Sequence, residues 1–241
     1  MRFYRHWIKD NDLTYFSVIV KQSDLYIGAQ YNLKDKALKS LLKHRTSLEK
    51  YTEHHPSFLT TLEPYQTEAN APAIAKEMSK ASRITGVGPM AAVAGTIAEA
   101  VGKDLLPFSP EIIVENGGDI FLKTAKKRLV AIYTGQSPFA GKIALEINPE
   151  ETPLGICTSS ATIGHSLGLG SADAVTAIAK STALADAAAT AIGNTIKAEK
   201  DISQAFMRVR KIADIRGMII IVEDKMGVWG KIKIVSPNSK P

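Results

Sequence analysis

Residues 184–194 read LADAAATAIGN, a helix built almost wholly of alanine that carries one carboxylate, Asp186. Between Lys180 and Lys197 no other residue is charged. A helix with no charged face belongs in the middle of a fold, and side chains this small let it approach its neighbours closely. At 100° per residue, Thr182, Asp186, Thr190 and Gly193 fall on one narrow stripe, and alanine, leucine and isoleucine fill the rest. A carboxylate in such surroundings needs a positive group or several donors in front of it, because an unpaired buried charge would rather protonate. Asp186 and Thr190 stand one turn apart, a spacing at which two oxygens can share a hard cation such as magnesium. An arginine, backbone amides elsewhere, or the dipole of the helix itself just beyond a cap at Ser181 would meet the same need.

A second stretch echoes the first. After TGVGP, the run MAAVAGTIAEAVG is also rich in alanine and meets no charge until Glu99. Both helices should be central. Around them, the runs FYRHWI, TYFSVIV and LYIGAQ predict an N-terminal meander of three antiparallel strands. A long amphipathic helix follows from about Leu33 to Tyr51 with Asn32 at its cap, and Pro72 opens another that ends near Arg83. EIIVENGGDIFLKT reads as strand, turn, strand, since consecutive glycines supply the positive φ of a tight hairpin. RLVAIYTG and GKIALEI are expected to extend the same sheet. LGICTSS and DAVTAIA are short buried strands, a helix capped by Asp201 spans about Ile202 to Ile215, and a last hairpin turns at Asp224 to Gly227. Strands and helices mix without regular β-α-β alternation, so the predicted class is α+β. One domain over residues 1–241 is expected, with the meander and long helix in 1–70 and the site motifs in 71–235.

Composition narrows the setting. The chain has 45% hydrophobic and 22% charged residues, in the globular range, and no apolar run of signal-peptide or membrane-spanning length. A cytoplasmic protein with no membrane partner is expected. The net charge of +6 favours anionic partners. Its basic residues cluster in NLKDKALKSLLKHRTSLEK and KTAKKR without interleaved aromatic platforms, which disfavours nucleic acid. Cys157 is the only cysteine, so neither a disulfide nor a cysteine-built metal site forms within one chain. A homo-oligomer stays open.

The segment GICTSSATIGHSLGLGSADA concentrates a thiol, hydroxyls, an imidazole and glycines at the end of an apolar strand, with no lysine or arginine from Gly155 to Ala179. Glycines let backbone amides approach an anion and hydroxyls donate to phosphate oxygens, so a small phosphate-bearing ligand fits. Neither a Walker loop nor a dinucleotide fingerprint is present. Cys157 and His165 are the reactive candidates there, beside the plainer readings of a core thiol and a backbone-bonded loop histidine.

Three separated motifs resemble the ApbE-type flavin transferases: VENGGDIFLKT, the run from GICTSS through ADAAATAIGN, and the glycine-bounded entry TGVGPMAAVAG. The likeness covers roughly Thr85 to Asn194. It implies a two-layer α+β fold that holds FAD, magnesium beside the diphosphate, and FMN passed to a threonine of an acceptor protein. It implies Asp186 and Thr190 as metal ligands, with a backbone carbonyl near Gly88 to Met90 as a third. Asn116, Gly117, Gly118 and Asp119 would line the cofactor pocket, with Thr158, Ser159 and His165 near the flavin or its phosphates. The family's entry lysine and its Asp-Pro pair after the histidine have no counterpart here. The chain is more similar still to a mostly archaeal and sulfate-reducer ApbE-like branch, which implies sulfur transfer in homocysteine formation. There Cys157 would be a persulfide carrier, stabilised by Thr158 and Ser159, with sulfur-transfer partners. A nucleotide-binding module without catalysis is the third alternative.

Overall fold

A computed structural model describes residues 12–135, 137–161 and 169–237. Its main sheet runs antiparallel throughout. The strands are β1 (Thr14–Val20), β2 (Ser23–Ala29), β3 (Ile112–Asn116), β4 (Asp119–Lys123), β7 (Leu154–Ser159), β8 (Ala174–Ala179), β9 (Ile215–Val222) and β10 (Lys225–Gly230), in that spatial order. Alternation of small and β-branched residues gives β7 and β8 two buried faces.

One face carries the helices α1 (Lys34–His54), α2 (Pro56–Thr60), α3 (Ala73–Thr85), α4 (Val93–Leu105), α5 (Thr182–Gly193) and α6 (Ile202–Val209). Leu41, Met78, Val101 and Leu105 close the core over β1–β4, and Leu184, Ala188, Ile192 and Val209 close it over β7–β9. The α+β layering of helices on an antiparallel sheet is as the sequence predicts, and α4 and α5 are its central helices.

Four expectations change. Strands β5 (Arg128–Ala131) and β6 (Ala144–Ile147) do not extend the main sheet but pair with β11 (Ile234–Val235) in a separate three-stranded sheet. It covers the opposite face through Val130, Leu145 and Ile147, packed on Leu122, Leu154, Ile156, Ile178 and Ile219. Both faces of the main sheet are apolar there, so a second layer is needed to bury the far one. Helix α6 stops at Val209, and Asp201 does not cap it. Its carboxylate accepts the amides of Lys197 and Ala198 and closes the preceding turn instead. The last hairpin turns at Glu223–Asp224, where Glu223 takes φ +53°, and Lys225 already belongs to β10. The first strand of the predicted meander lies outside the described residues, and its other two strands pair as β1 and β2.

Leu33, not Asn32, holds the cap position of α1, with no side-chain cap; Asn32 Oδ1 accepts the Lys34 amide at 3.0 Å from one residue before it. No single helix among the described residues is long and apolar enough to cross a membrane.

Candidate functional site

Helix α5 lies lengthwise on β7. At one end Thr182 packs on Gly155, where a Cβ would stand 2.4 Å from the Thr182 backbone, and at the other Gly193 faces the Ser159 hydroxyl. The stripe of Thr182, Asp186, Thr190 and Gly193 is therefore a seam between helix and strand. Ser181 caps the helix by accepting the amide of Leu184.

Helix α4 crosses the same seam. Gly95 brings its backbone so close to α5 that an added Cβ would stand 2.6 Å from the Thr182 carbonyl oxygen and 2.8 Å from the Asp186 Cβ. Across this contact the Gly95 amide donates to Asp186 Oδ2 at 2.8 Å, so the carboxylate sits on the first turn of α4. In the reverse sense Glu99 of α4 accepts the Thr182 amide at 2.7 Å at the first turn of α5. Each helix thus presents an acid, one turn along from its own amide donor, to the start of the other.

The two acids differ in what neutralises them. Glu99 pairs with Lys103 one turn on, Nζ to Oε1 2.7 Å. At the matching position Asp186 has Thr190, and among the described residues no lysine or arginine pairs with it. Asp186 is 9% exposed. Burial, and then the nearby charge of Asp119, push its carboxyl well above the usual range, against the pull of the Gly95 and Ala94 amides.

The hairpin between β3 and β4 closes the corner. Asn116 and Asp119 are register partners across Gly117 and Gly118, which take φ +72° and +108°. Asn116 Nδ2 donates to the Ala94 carbonyl at 3.0 Å and ties the hairpin to α4. Glu115 Oε1 accepts the Gly118 amide at 2.9 Å, so that amide is already engaged by a carboxylate. Asp119 is buried and pairs in register with Cys157 of β7. Next along β7, Thr158 shares a 2.9 Å hydrogen bond with Thr176, and its carbonyl faces Gly118.

The structure thus brings Asn116, Gly117, Gly118, Asp119, Cys157, Thr158, Ser159, Asp186 and Thr190 to one corner of the fold. His165 lies outside the described residues. The α4 amides that meet Asp186 are those of Ala94 and Gly95. Cys157 is fully buried and donates to the Thr182 carbonyl at 3.4 Å. Burial and the charges of Asp119 and Asp186 push its thiol well above the usual range. A persulfide carrier needs an accessible thiolate, and this setting holds a covered thiol.

Beside the corner, the first turn of α4 also lines a cavity of about 520 Å³. Leu48, Met90, Val93, Ala94 and Ile97 form its apolar wall. Opposite stand Arg45 and Lys21, both bonded to Glu49 at 2.8 Å. Sequence reading missed this wall and Glu99. The available signal was the shared spacing: Gly95 to Glu99 repeats Thr182 to Asp186.

The family model described as AbpE bacteria matches residues 5–223. The UPF0280 protein MJ1526 of Methanocaldococcus jannaschii is 42% identical over 221 residues, covering 89% of this chain and 90% of that protein. The UPF0280 protein MK0206 of Methanopyrus kandleri is 40% identical over 228 residues, covering 91% and 92%. Among solved structures, the flavin transferase ApbE from Vibrio cholerae matches with TM-score 0.57 at 15% identity, over 90% of this chain and 96% of that one. The Pseudomonas stutzeri flavinyl transferase ApbE, apo form, matches with TM-score 0.60 at 14% identity, over 93% and 94%. At those identities the solved structures share the fold. Family model and relatives together place this chain in the ApbE-like family, in the branch that holds the archaeal UPF0280 proteins.

Proposed function

We propose that this protein binds a flavin nucleotide, or a closely related phosphate-bearing ligand, through a divalent cation held by Asp186 and Thr190 with Asp119 beside them. The contrast between Glu99 and Asp186 carries the reading. Two acids in matching positions cap each other's helices, yet one has a lysine one turn on and the other a hydroxyl. A buried acid next to a second acid, with an oxygen ligand where the lysine would stand, fits a hard cation such as magnesium. When bound, such an ion supplies Lewis acidity at a phosphoryl group.

The chain's own residues then divide the remaining work. Asn116 holds the first turn of α4 in place, and Glu115 fixes the Gly117–Gly118 turn. With the Gly118 amide engaged and no lysine or arginine paired with Asp186 among the described residues, phosphate charge is accepted through the cation. The neighbouring cavity has the volume and the apolar wall for a ring system, and its rim of Arg45, Glu49 and Lys21 offers donors and acceptors to a heteroaromatic edge. The names of the solved neighbours favour flavin as that ring and FMN transfer to an acceptor protein as the activity.

Thermal denaturation with FAD, FMN and ADP, each with magnesium or with EDTA, tests the binding. A rise in Tm with FAD or FMN that requires magnesium and disappears in D186N is expected. No magnesium-dependent shift with any of the three would refute the reading. Mass analysis of a threonine-bearing acceptor incubated with FAD then reads transfer.

A further inference from the structure

Glu99 plays no part in holding the cation as proposed above, yet it stands one turn from Gly95 and bonds the residue one turn before Asp186. We propose that Glu99 is a positioning residue for the cation site, setting where Asp186 and Thr190 stand along α4. The inference rests on the cation reading of Asp186.

The surfaces of α4 and α5 explain why such a device is needed. Where the helices meet they offer Gly95, Ala98, Ala183 and Ala187, all small. Helices usually fix their mutual register by interlocking ridges and grooves of larger side chains. A contact of glycine and alanine is close but nearly smooth, so it resists separation better than sliding. Two charge-assisted hydrogen bonds supply the missing register. Asp186 takes the Gly95 amide at 2.8 Å, and Glu99 takes the Thr182 amide at 2.7 Å.

The two corners are reciprocal, so a slide of one helix along the other alters both bonds at once, stretching them one way and pressing the acids onto the amides the other way. Glu99 also reaches Ala183 N and Ser181 Oγ at 3.4 Å, so its carboxylate covers the whole first turn of α5. Lys103 holds the other oxygen and leaves Oε2 for the amides. A cation at Asp186 draws on the oxygens of that carboxylate, leaving the Glu99 corner to hold the register.

Two conservative variants separate reach from charge. E99Q keeps an oxygen at the same reach and removes the charge, whereas E99D keeps the charge and withdraws it by one methylene. Mn²⁺ titration of the full-length protein, followed by electron paramagnetic resonance, reads site affinity, while near-ultraviolet circular dichroism confirms native packing in each variant. E99D is expected to bind Mn²⁺ about 10-fold more weakly or worse, as for supporting residues of metal sites, with E99Q close to the parent. Unchanged affinity in E99D, even with a lowered Tm, overturns the proposal and makes Glu99 a stabilising cap. Loss in E99Q equal to or greater than that in E99D overturns it too, since charge and not position would then be the cause. D186N separates the two claims: if the parent binds and D186N does not, the cation reading stands whatever E99D does. A parent that binds no Mn²⁺ overturns both.

Discussion

The Asp186 carboxylate accepts the Gly95 amide at 2.8 Å, which places a buried acid of one central helix on the first turn of the other. That single bond fixes a helix contact and leaves the acid short of positive charge. Its carboxyl is held well above 3.8 by burial and by Asp119. For a carboxyl raised on folding, the native state holds the proton that the unfolded chain releases, so stability falls as pH rises above the unfolded value. In EDTA, Tm should therefore decline from about pH 4 upward on account of this group, and magnesium should reverse the decline near neutrality. D186N keeps an oxygen for Gly95 and removes the charge, so in EDTA it should match or exceed the parent's Tm while losing the magnesium response. Thermal scans across pH with and without magnesium check both.

Replacing Thr190 by lysine should install at the Asp186 corner what Lys103 gives Glu99. The T190K protein should fold, gain Tm in EDTA and bind no Mn²⁺. A titration showing parent-like Mn²⁺ binding in T190K would remove Thr190 from the site.

Gly95 admits no side chain, because a Cβ would stand 2.6 Å from a backbone oxygen of α5. Alanine at a helical position gains up to about 1 kcal/mol of helix propensity. Overpacking costs about 1–3 kcal/mol, and here the obstacle is backbone that cannot rotate away. G95A should thus be net destabilising and should weaken Mn²⁺ binding in the same preparation. Urea unfolding and the titration check it together.

Cys157 should behave as packing. The native protein should resist iodoacetamide at pH 8 for hours and react at once in guanidinium, as mass spectrometry would show. Rapid native alkylation, or a sulfur adduct formed with sulfide donors under native conditions, would return Cys157 to the reactive candidates.

On the acid side, Arg128 is clamped between Asp12 and Glu111 at 2.7 Å each. The bonds from Arg128 and Lys126 hold the Asp12 carboxyl far below its ordinary value. Burial raises that of Glu111, but bonds from Thr124 and Arg128 outweigh it and leave it lowered. Stability from such groups is present above their unfolded values near 4 and is lost as pH falls through the lowered ones. R128M strands the buried Glu111 and should cost about 3–5 kcal/mol at pH 7. Its acid unfolding limb should be shallower than the parent's, and urea titrations from pH 3 to 7 measure both.

Much of this was legible along the chain. Local patterns sufficed for the α+β class, for α5 and its Ser181 cap, for the Gly117–Gly118 hairpin and for the buried acid of the central helix. Each depends on periodicity or turn chemistry within a few residues. The separate β5–β6–β11 sheet was not legible, because a short apolar strand reads the same whichever sheet it joins. Nor were the Arg45 wall of the cavity and the Arg128 clamp, each made by residues far apart in sequence.

By itself the sequence determined that a lone carboxylate in an alanine helix needs a partner, since that follows from burial and spacing alone. Which partner it meets was decided only in three dimensions, by the approach of Gly95 and the placing of Asp119 across the sheet. Glu99 and Asp186 look alike as acids set among small residues of central helices. The lysine beside one and the hydroxyl beside the other set them apart only once both helices are seen to cap each other, because an electrostatic need is a property of the surroundings and not of the residue.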